Sequence, residues 1–141
     1  ENLAKRQVKA PKIYFRDSGL LHALLGIGEQ AALAVHPRLG ASWEGFALEE
    51  TLKFAQPDQA YFWATHAGAE LDLLMIRDAR RVGVEFKRAD APRITPSMRM
   101  TIQDLRLDAL YVVYPGPLRY RLGDSIQAVP ITELSQVPPW T

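Results

Sequence analysis

Two stretches decide how this chain is read. They are Ala69-Glu70-Leu71-Asp72-Leu73-Leu74-Met75-Ile76 and, after Arg77-Asp78-Ala79-Arg80-Arg81, Val82-Gly83-Val84-Glu85-Phe86-Lys87. Apolar runs of this length, divided by a short polar segment, predict two adjacent strands in a sheet core. The charges inside them are the anomaly, because an ionised group in an apolar strand is costly unless it is paired or holds a metal. Side chains alternate along a strand. Glu85 and Lys87 are therefore expected on one face, with Val84 and Phe86 on the other, while Glu70 and Asp72 share a face of the preceding strand. Pairing about the turn would set Asp72 opposite Glu85 across a strand spacing of ~4.8 Å. Two carboxylates that close repel unless a proton or cation intervenes. A divalent metal would resolve the conflict, and hard oxygen ligands suit Mg2+ or Mn2+. Lys87 could then steady a hydroxide nucleophile or the charge developing on a phosphate. The plain alternative is a structural ion pair or a solvated sheet edge.

Outward from these strands, a sandwich assembles. Tyr61-Phe62-Trp63-Ala64-Thr65 predicts a preceding strand, with His66-Ala67-Gly68 as a hairpin turn. Upstream, Ser42 is placed to cap a helix carrying Trp43, Phe46, Ala47 and Phe54, which Pro57-Asp58 ends. Downstream, Thr95-Pro96 starts a helix with cap and proline in preferred places. Met98, Ile102 and Leu105 form its apolar stripe, and Arg99, Gln103 and Arg106 share another face. Ala109 to Tyr114 predicts a strand buried on both faces, stopped by Pro115-Gly116-Pro117, and a last short strand is expected near Ile126 to Ile131. At the other end, Lys12 to Arg16 predicts a short strand and Asp17 caps a helix through Leu25 that Gly26 ends. The fold class is α/β, a sandwich with a mixed central β-sheet flanked by helices: the hairpin pairs antiparallel and the strand–helix–strand crossover parallel.

Composition sets the bounds. With 141 residues, 48% apolar and 23% charged, the chain is long enough for one domain with a real core. The absence of cysteine excludes disulfides and thiolate zinc sites, and agrees with a cytoplasmic location. No apolar run is long enough to cross a bilayer, so no membrane partner is expected. A net charge of +1 carries no bulk nucleic-acid signature. Local basic groups (Lys5, Arg6, Lys9, Lys12 and Arg16; then Arg77, Arg80 and Arg81; then Arg93, Arg99 and Arg106) read most simply as solvated faces. His22, His36 and His66 lack metal-ligand spacing. The start on Glu1 and the charged residues before Ala10-Pro11 suggest a fragment whose missing portion lies upstream. On this reading residues 1–40 are a linker and lead-in segment, and residues 41–141 the domain proper.

Asp72 … Glu85-x-Lys87 on two core strands, after a helix bearing Glu44, resembles the PD-(D/E)xK superfamily of restriction-endonuclease-like proteins. The resemblance implies that Asp72 and Glu85 are metal ligands, Glu44 a supporting ligand and Lys87 the catalytic lysine in phosphodiester hydrolysis. Glu49 and Glu50 are weaker candidates for the helix acid. Leu71 stands where the motif's proline would be. Gln103 corresponds to a DNA-contacting glutamine of some related nucleases, although Leu107 replaces the tyrosine that usually follows; Arg88 and Arg99 join it as nucleic-acid-binding candidates.

A wider resemblance rests on Lys12-Ile13-Tyr14-Phe15-Arg16-Asp17-Ser18-Gly19-Leu20-Leu21, Trp43-Glu44-Gly45-Phe46, Gly68-Ala69-Glu70-Leu71-Asp72 and Val84-Glu85-Phe86-Lys87. It is to a domain of unknown function that forms the C-terminus of prokaryotic AAA+ ATPases. It implies an upstream ATPase module as partner, with ATP bound there, since no Gly-rich loop ending in Gly-Lys-Ser/Thr occurs here. Two functions follow as expectations: a Mg2+- or Mn2+-dependent nuclease-like domain engaging nucleic acid, or a non-catalytic interaction or regulatory module with the same fold.

Overall fold

The structure, a computed structural model, describes residues 12–66 and 68–136. Its elements run α1 (Ser18–Leu24), α2 (Gln30–Ala34), α3 (Leu39–Ala55), β1 (Gln59–Ala64), β2 (Glu70–Arg77), β3 (Arg80–Phe86), α4 (Pro96–Leu105), β4 (Ala109–Tyr114), β5 (Tyr120–Gly123) and β6 (Ile126–Pro130), closing on a 3-10 turn at Ile131–Glu133. All six strands form one mixed sheet in the order β1-β2-β3-β4-β6-β5. The β1–β2 and β2–β3 pairs are antiparallel, while β3–β4, across the α4 crossover, and β4–β6 are parallel. Strand β5, which the local sequence does not announce, adds antiparallel to β6.

The sheet is covered on both faces. Ala47, Leu48 and Ala55 of α3 pack with Leu73, Met75, Val82, Val84, Phe86 and Val113. On the opposite face Met98 and Leu105 of α4 pack with Leu71, Leu74, Leu110, Val112 and Trp63. Burying each such side chain contributes roughly 1.5–3 kcal/mol, which is why the central strands read as continuous apolar runs. By contrast, α1 and α2 bury no residue.

Local chemistry explains most boundaries. Asp17 accepts the backbone N–H of Leu20, and Gly26, at φ +69°, lets the chain leave α1. Thr95 accepts the Met98 N–H with Pro96 just inside α4. Three expectations need correction. Helix α3 begins at Leu39, so Ser42 lies inside it; its backbone N–H already bonds Arg38, and its hydroxyl meets His22 Nε2 at 2.6 Å instead of capping. Residues 12–16 are irregular and pair with no strand, because the side chains of Lys12 and Tyr14 carry the segment's contacts. Part of the looser stretch before Gly40 is the short helix α2. The expected residues Lys5, Arg6, Lys9, Ala67 and the Pro-rich tail from 137 onward lie outside the described residues.

The β2–β3 turn holds Asp78 at φ +49° and Ala79 at φ +65°, both left-handed. This is the mirror-image turn that suits a two-residue hairpin, and it normally takes glycine. An alanine there costs roughly 1–2 kcal/mol. Ala79→Gly should therefore raise unfolding stability by about 1 kcal/mol in denaturant melts; a loss of stability would contradict the turn geometry.

Candidate functional site

The β2–β3 register ends at Leu73↔Val84, so Asp72 and Glu85 sit one residue beyond it on adjacent strands. The pairing of β1 with β2 also slips here, from Tyr61↔Leu74 to Trp63↔Leu71. Asp72 and Leu73 of β2 thus stand opposite Phe62 alone, a bulge that breaks strict alternation and re-aims side chains. Asp72 uses it. Its Oδ2 accepts the backbone N–H of Phe86 at 3.0 Å, replacing the ladder bond that the strand no longer makes.

Both strand acids are buried, with side chains 7% exposed. Burial pushes the Asp72 carboxyl above the ordinary range, against the opposing pull of the Phe86 N–H. Burial also pushes Glu85 up, and the charge of Asp72 adds to it, to about 7. Lys87 lies just past β3 and its Nζ pairs with Glu85 Oε2 at 3.0 Å. Burial works to lower the Lys87 ammonium, but the charge and hydrogen bond of Glu85 outweigh it and hold it above the usual lysine range.

The remaining acids converge on a residue expected at a solvated face. The Lys12 ammonium lies 2.5 Å from Glu70 Oε1, 3.0 Å from Glu44 Oε1 and 3.1 Å from Asp72 Oδ1. It also sits 4.6 Å from the centre of the Phe62 ring. Its partners reach it from α3 and β2, as far as 60 residues along the chain. Burial would lower this ammonium, yet the hydrogen bond to Glu70, the charge of Asp72 and the contacts with Glu44 more than offset it and hold it charged. Glu44 is further fixed by the Tyr14 hydroxyl, which donates to Oε1 at 2.5 Å. Burial and this hydrogen bond keep Tyr14 protonated well above the usual phenol range.

Glu44, Glu70, Asp72, Glu85 and Lys87 thus occupy one end of the sheet. Glu49 pairs instead with Arg16 at 3.2 Å, and Glu50 with Lys53 at 3.6 Å. Arg88, Arg99 and Gln103 are exposed. The Ser97 hydroxyl bonds both the backbone N–H and the carbonyl of Glu70, which sets the first turn of α4, with Arg99, beside the acidic end of β2.

The donor chemistry, carboxylate oxygens with two acids buried, suits a hard divalent ion. The arrangement adds a condition. Among the described residues no three His, Cys, Asp or Glu side chains are set to hold one metal ion. Glu44, Glu70 and Asp72 are drawn to Lys12, and Glu85 to Lys87. Beside the cluster, a cavity of about 530 Å³ opens between residues 12–25 and the start of α3, with Lys12, Tyr14, Arg38 and Glu44 among its walls.

Lys12, Tyr14 and Phe62 are the site members that sequence reasoning missed as such. In the sequence Lys12 reads as one of a basic group and Tyr14 as part of a short strand, and both lie in the Lys12-Ile13-Tyr14-Phe15-Arg16 segment of the wider resemblance.

Comparison with known proteins places the chain. The uncharacterized proteins Rv2008c of Mycobacterium tuberculosis and Mb2031c of Mycobacterium bovis are each 48% identical to it over 133 residues. That alignment takes in 94% of this chain and 30% of each relative, so the chain spans about 30% of the length of the curated relatives it matches. No solved structure matches. No helix among the described residues is long and apolar enough to cross a membrane. Residues 1–31, which contain Lys12 and Tyr14, match the domain of unknown function DUF8612. The sheet, α3 and the acids Glu44, Glu70, Asp72 and Glu85 all fall within the second match, residues 39–134, and by it the chain belongs to the family described as Domain of unknown function (DUF4143).

Proposed function

We propose that this is the nuclease-like, restriction-endonuclease-type C-terminal domain of a longer AAA+ ATPase chain, engaging nucleic acid and hydrolysing phosphodiester bonds with Mg2+ or Mn2+. The observation that carries the reading is the placing of two buried carboxylates, Asp72 and Glu85, at adjoining strand positions, with the Lys87 ammonium 3.0 Å from Glu85. Burying two acids side by side costs several kcal/mol, on the order of the penalty for each desolvated ion, and a fold retains that cost most readily where the acids have work to do. Asp72 and Glu85 would hold the ion, with Glu44 in support. When bound, such an ion acts as a Lewis acid on phosphate and lowers the pKa of its water. Lys87, 43% exposed, is within reach of a substrate and would stabilise charge developing on a phosphate oxygen. Arg88, Arg99 and Gln103 would contact the backbone of the nucleic acid.

A second reading, a non-catalytic module that couples the ATPase to a partner, is favoured by the Lys12 ammonium seated among three of the acids. A cleavage assay separates the two. Single-stranded, duplex and branched substrates are incubated with Mg2+ or Mn2+ and wild type, Asp72→Ala, Lys87→Ala or Lys12→Met. The nuclease reading expects metal-dependent cutting by wild type or Lys12→Met that falls at least about 100-fold on Asp72→Ala, the scale of losing a main source of transition-state stabilisation. No cutting by either parent, or equal cutting by Asp72→Ala, leaves the coupling module as the answer.

A further inference from the structure

We propose that Lys12 is the built-in cation of the acidic cluster, and that residues 12–25 form a latch which must lift before an external cation can take the carboxylates. The inference rests on the nuclease-like reading only for what the opened site does; the latch itself stands on geometry. An ammonium has three N–H donors, and this one faces three carboxylates, of Glu44, Glu70 and Asp72, at 3.0, 2.5 and 3.1 Å. The Phe62 ring closes another side at 4.6 Å. Every donor is satisfied, and Asp72, the most buried partner, has its other oxygen committed to Phe86. A divalent ion entering among these acids would have to displace Lys12, because like charges at that range repel.

The segment bearing Lys12 is built to detach. Helices α1 and α2 bury no residue. Besides Lys12, the polar ties of the segment are Tyr14 to Glu44, Arg16 to Glu49 at 3.2 Å and His22 to Ser42 at 2.6 Å. Tyr14 packs against the core beside α3, and the rest of the segment lines the 530 Å³ cavity. A segment with polar anchors over a cavity opens at lower free energy than the doubly covered sheet. Phe15 and Leu25 are 48% and 40% exposed, so about half of their surface already meets water, and Tyr14 is the segment's main apolar contact with the core.

The test begins with wild type and needs no substitution. Under limiting amine-acetylating reagent, read by mass spectrometry, Lys12 should label at least tenfold more slowly than Lys53, whose side chain is 64% exposed. Equal rates overturn the latch. Mn2+ binding, followed by the loss of the free-ion resonance, should be at least tenfold weaker in wild type than in Lys12→Met. Hydrogen exchange in Lys12→Met should quicken across residues 12–25 and stay unchanged in β2, β3 and β4, which also establishes that the variant is folded. Wild type binding Mn2+ as tightly as folded Lys12→Met overturns the proposal. Should Lys12→Met not fold, the wild-type labelling rates decide alone. None of these readouts involves cutting, so failed cleavage with slow Lys12 labelling and gained Mn2+ binding would sink the nuclease reading and leave the latch.

Discussion

Glu85→Gln should flatten the loss of stability that wild type suffers as pH rises from about 4.5 to about 7. In the folded chain burial, and then the charge of Asp72, raise this carboxyl from 4.5 to about 7, with Glu70 adding to the effect and Lys87 opposing it. The sign follows from proton counts. Between those two values the folded state binds more protons than the unfolded state, so unfolding releases protons and stability falls as pH rises. The contribution is fully present below pH 4.5 and is lost by the time pH has passed about 7, amounting to on the order of 3 kcal/mol. Glutamine keeps the shape and cannot ionise. Lys87 loses its partner but is 43% exposed, so water can solvate it. Urea melts at pH 4.5 and pH 8 should therefore give similar stabilities for the two proteins at the lower pH, and a gain for the variant of up to about 3 kcal/mol at the higher. Asp72, raised in the same direction by burial, will keep part of the slope. Parallel pH profiles for wild type and variant would show that Glu85 does not carry the strain.

Leu110→Ala should cost about 2–5 kcal/mol, the range for emptying a fully buried leucine site. Leu110 is 0% exposed and packs under α4 in the second of the two cores. Its neighbour across the sheet supplies a sharper test. A Cβ on Gly83 would come within 2.6 Å of Leu107 Cδ1, 2.8 Å of Leu110 Cδ1 and 3.2 Å of Leu71 Cδ1. Three leucines occupy the space that a side chain would need, which is the physical reason for glycine in the middle of β3. Gly83→Ala alone should cost about 1–3 kcal/mol through overpacking. In the double variant the new methyl group enters space that Leu110 has left, so the combined loss should fall short of the sum by at least about 0.5 kcal/mol. Strict additivity in a double-mutant cycle would mean that the two positions do not share that space.

Much of the sheet was legible from local pattern. The apolar runs at 69–76, 82–87 and 109–114 outlast any polar interruption, and strands covered on both faces must read that way. Thr95-Pro96 and Asp17 announce their helices because capping is satisfied within three residues. The misses share another cause. Ser42 has the composition of a cap, yet the cap position of α3 falls four residues earlier at Arg38, which makes no side-chain cap bond at all. Residues 12–16 have the composition of a strand but pair with none and are held through the side chains of Lys12 and Tyr14. Strand β5 is short and only partly buried, so its apolar signal is weak and its identity comes from β6 beside it.

The candidate site divides along the same line. The sequence by itself determined that Asp72 and Glu85 would lie on neighbouring strands with Lys87 close behind, since a five-residue polar break between apolar runs forces a hairpin and the hairpin sets the register. Only the tertiary structure decided which cation answers the acids. The bulge in β2 aims Asp72, α3 delivers Glu44, and Lys12 arrives from a segment that forms no regular element. Charge attracts by distance in space, and neither periodicity nor spacing encodes a contact between residues 60 positions apart.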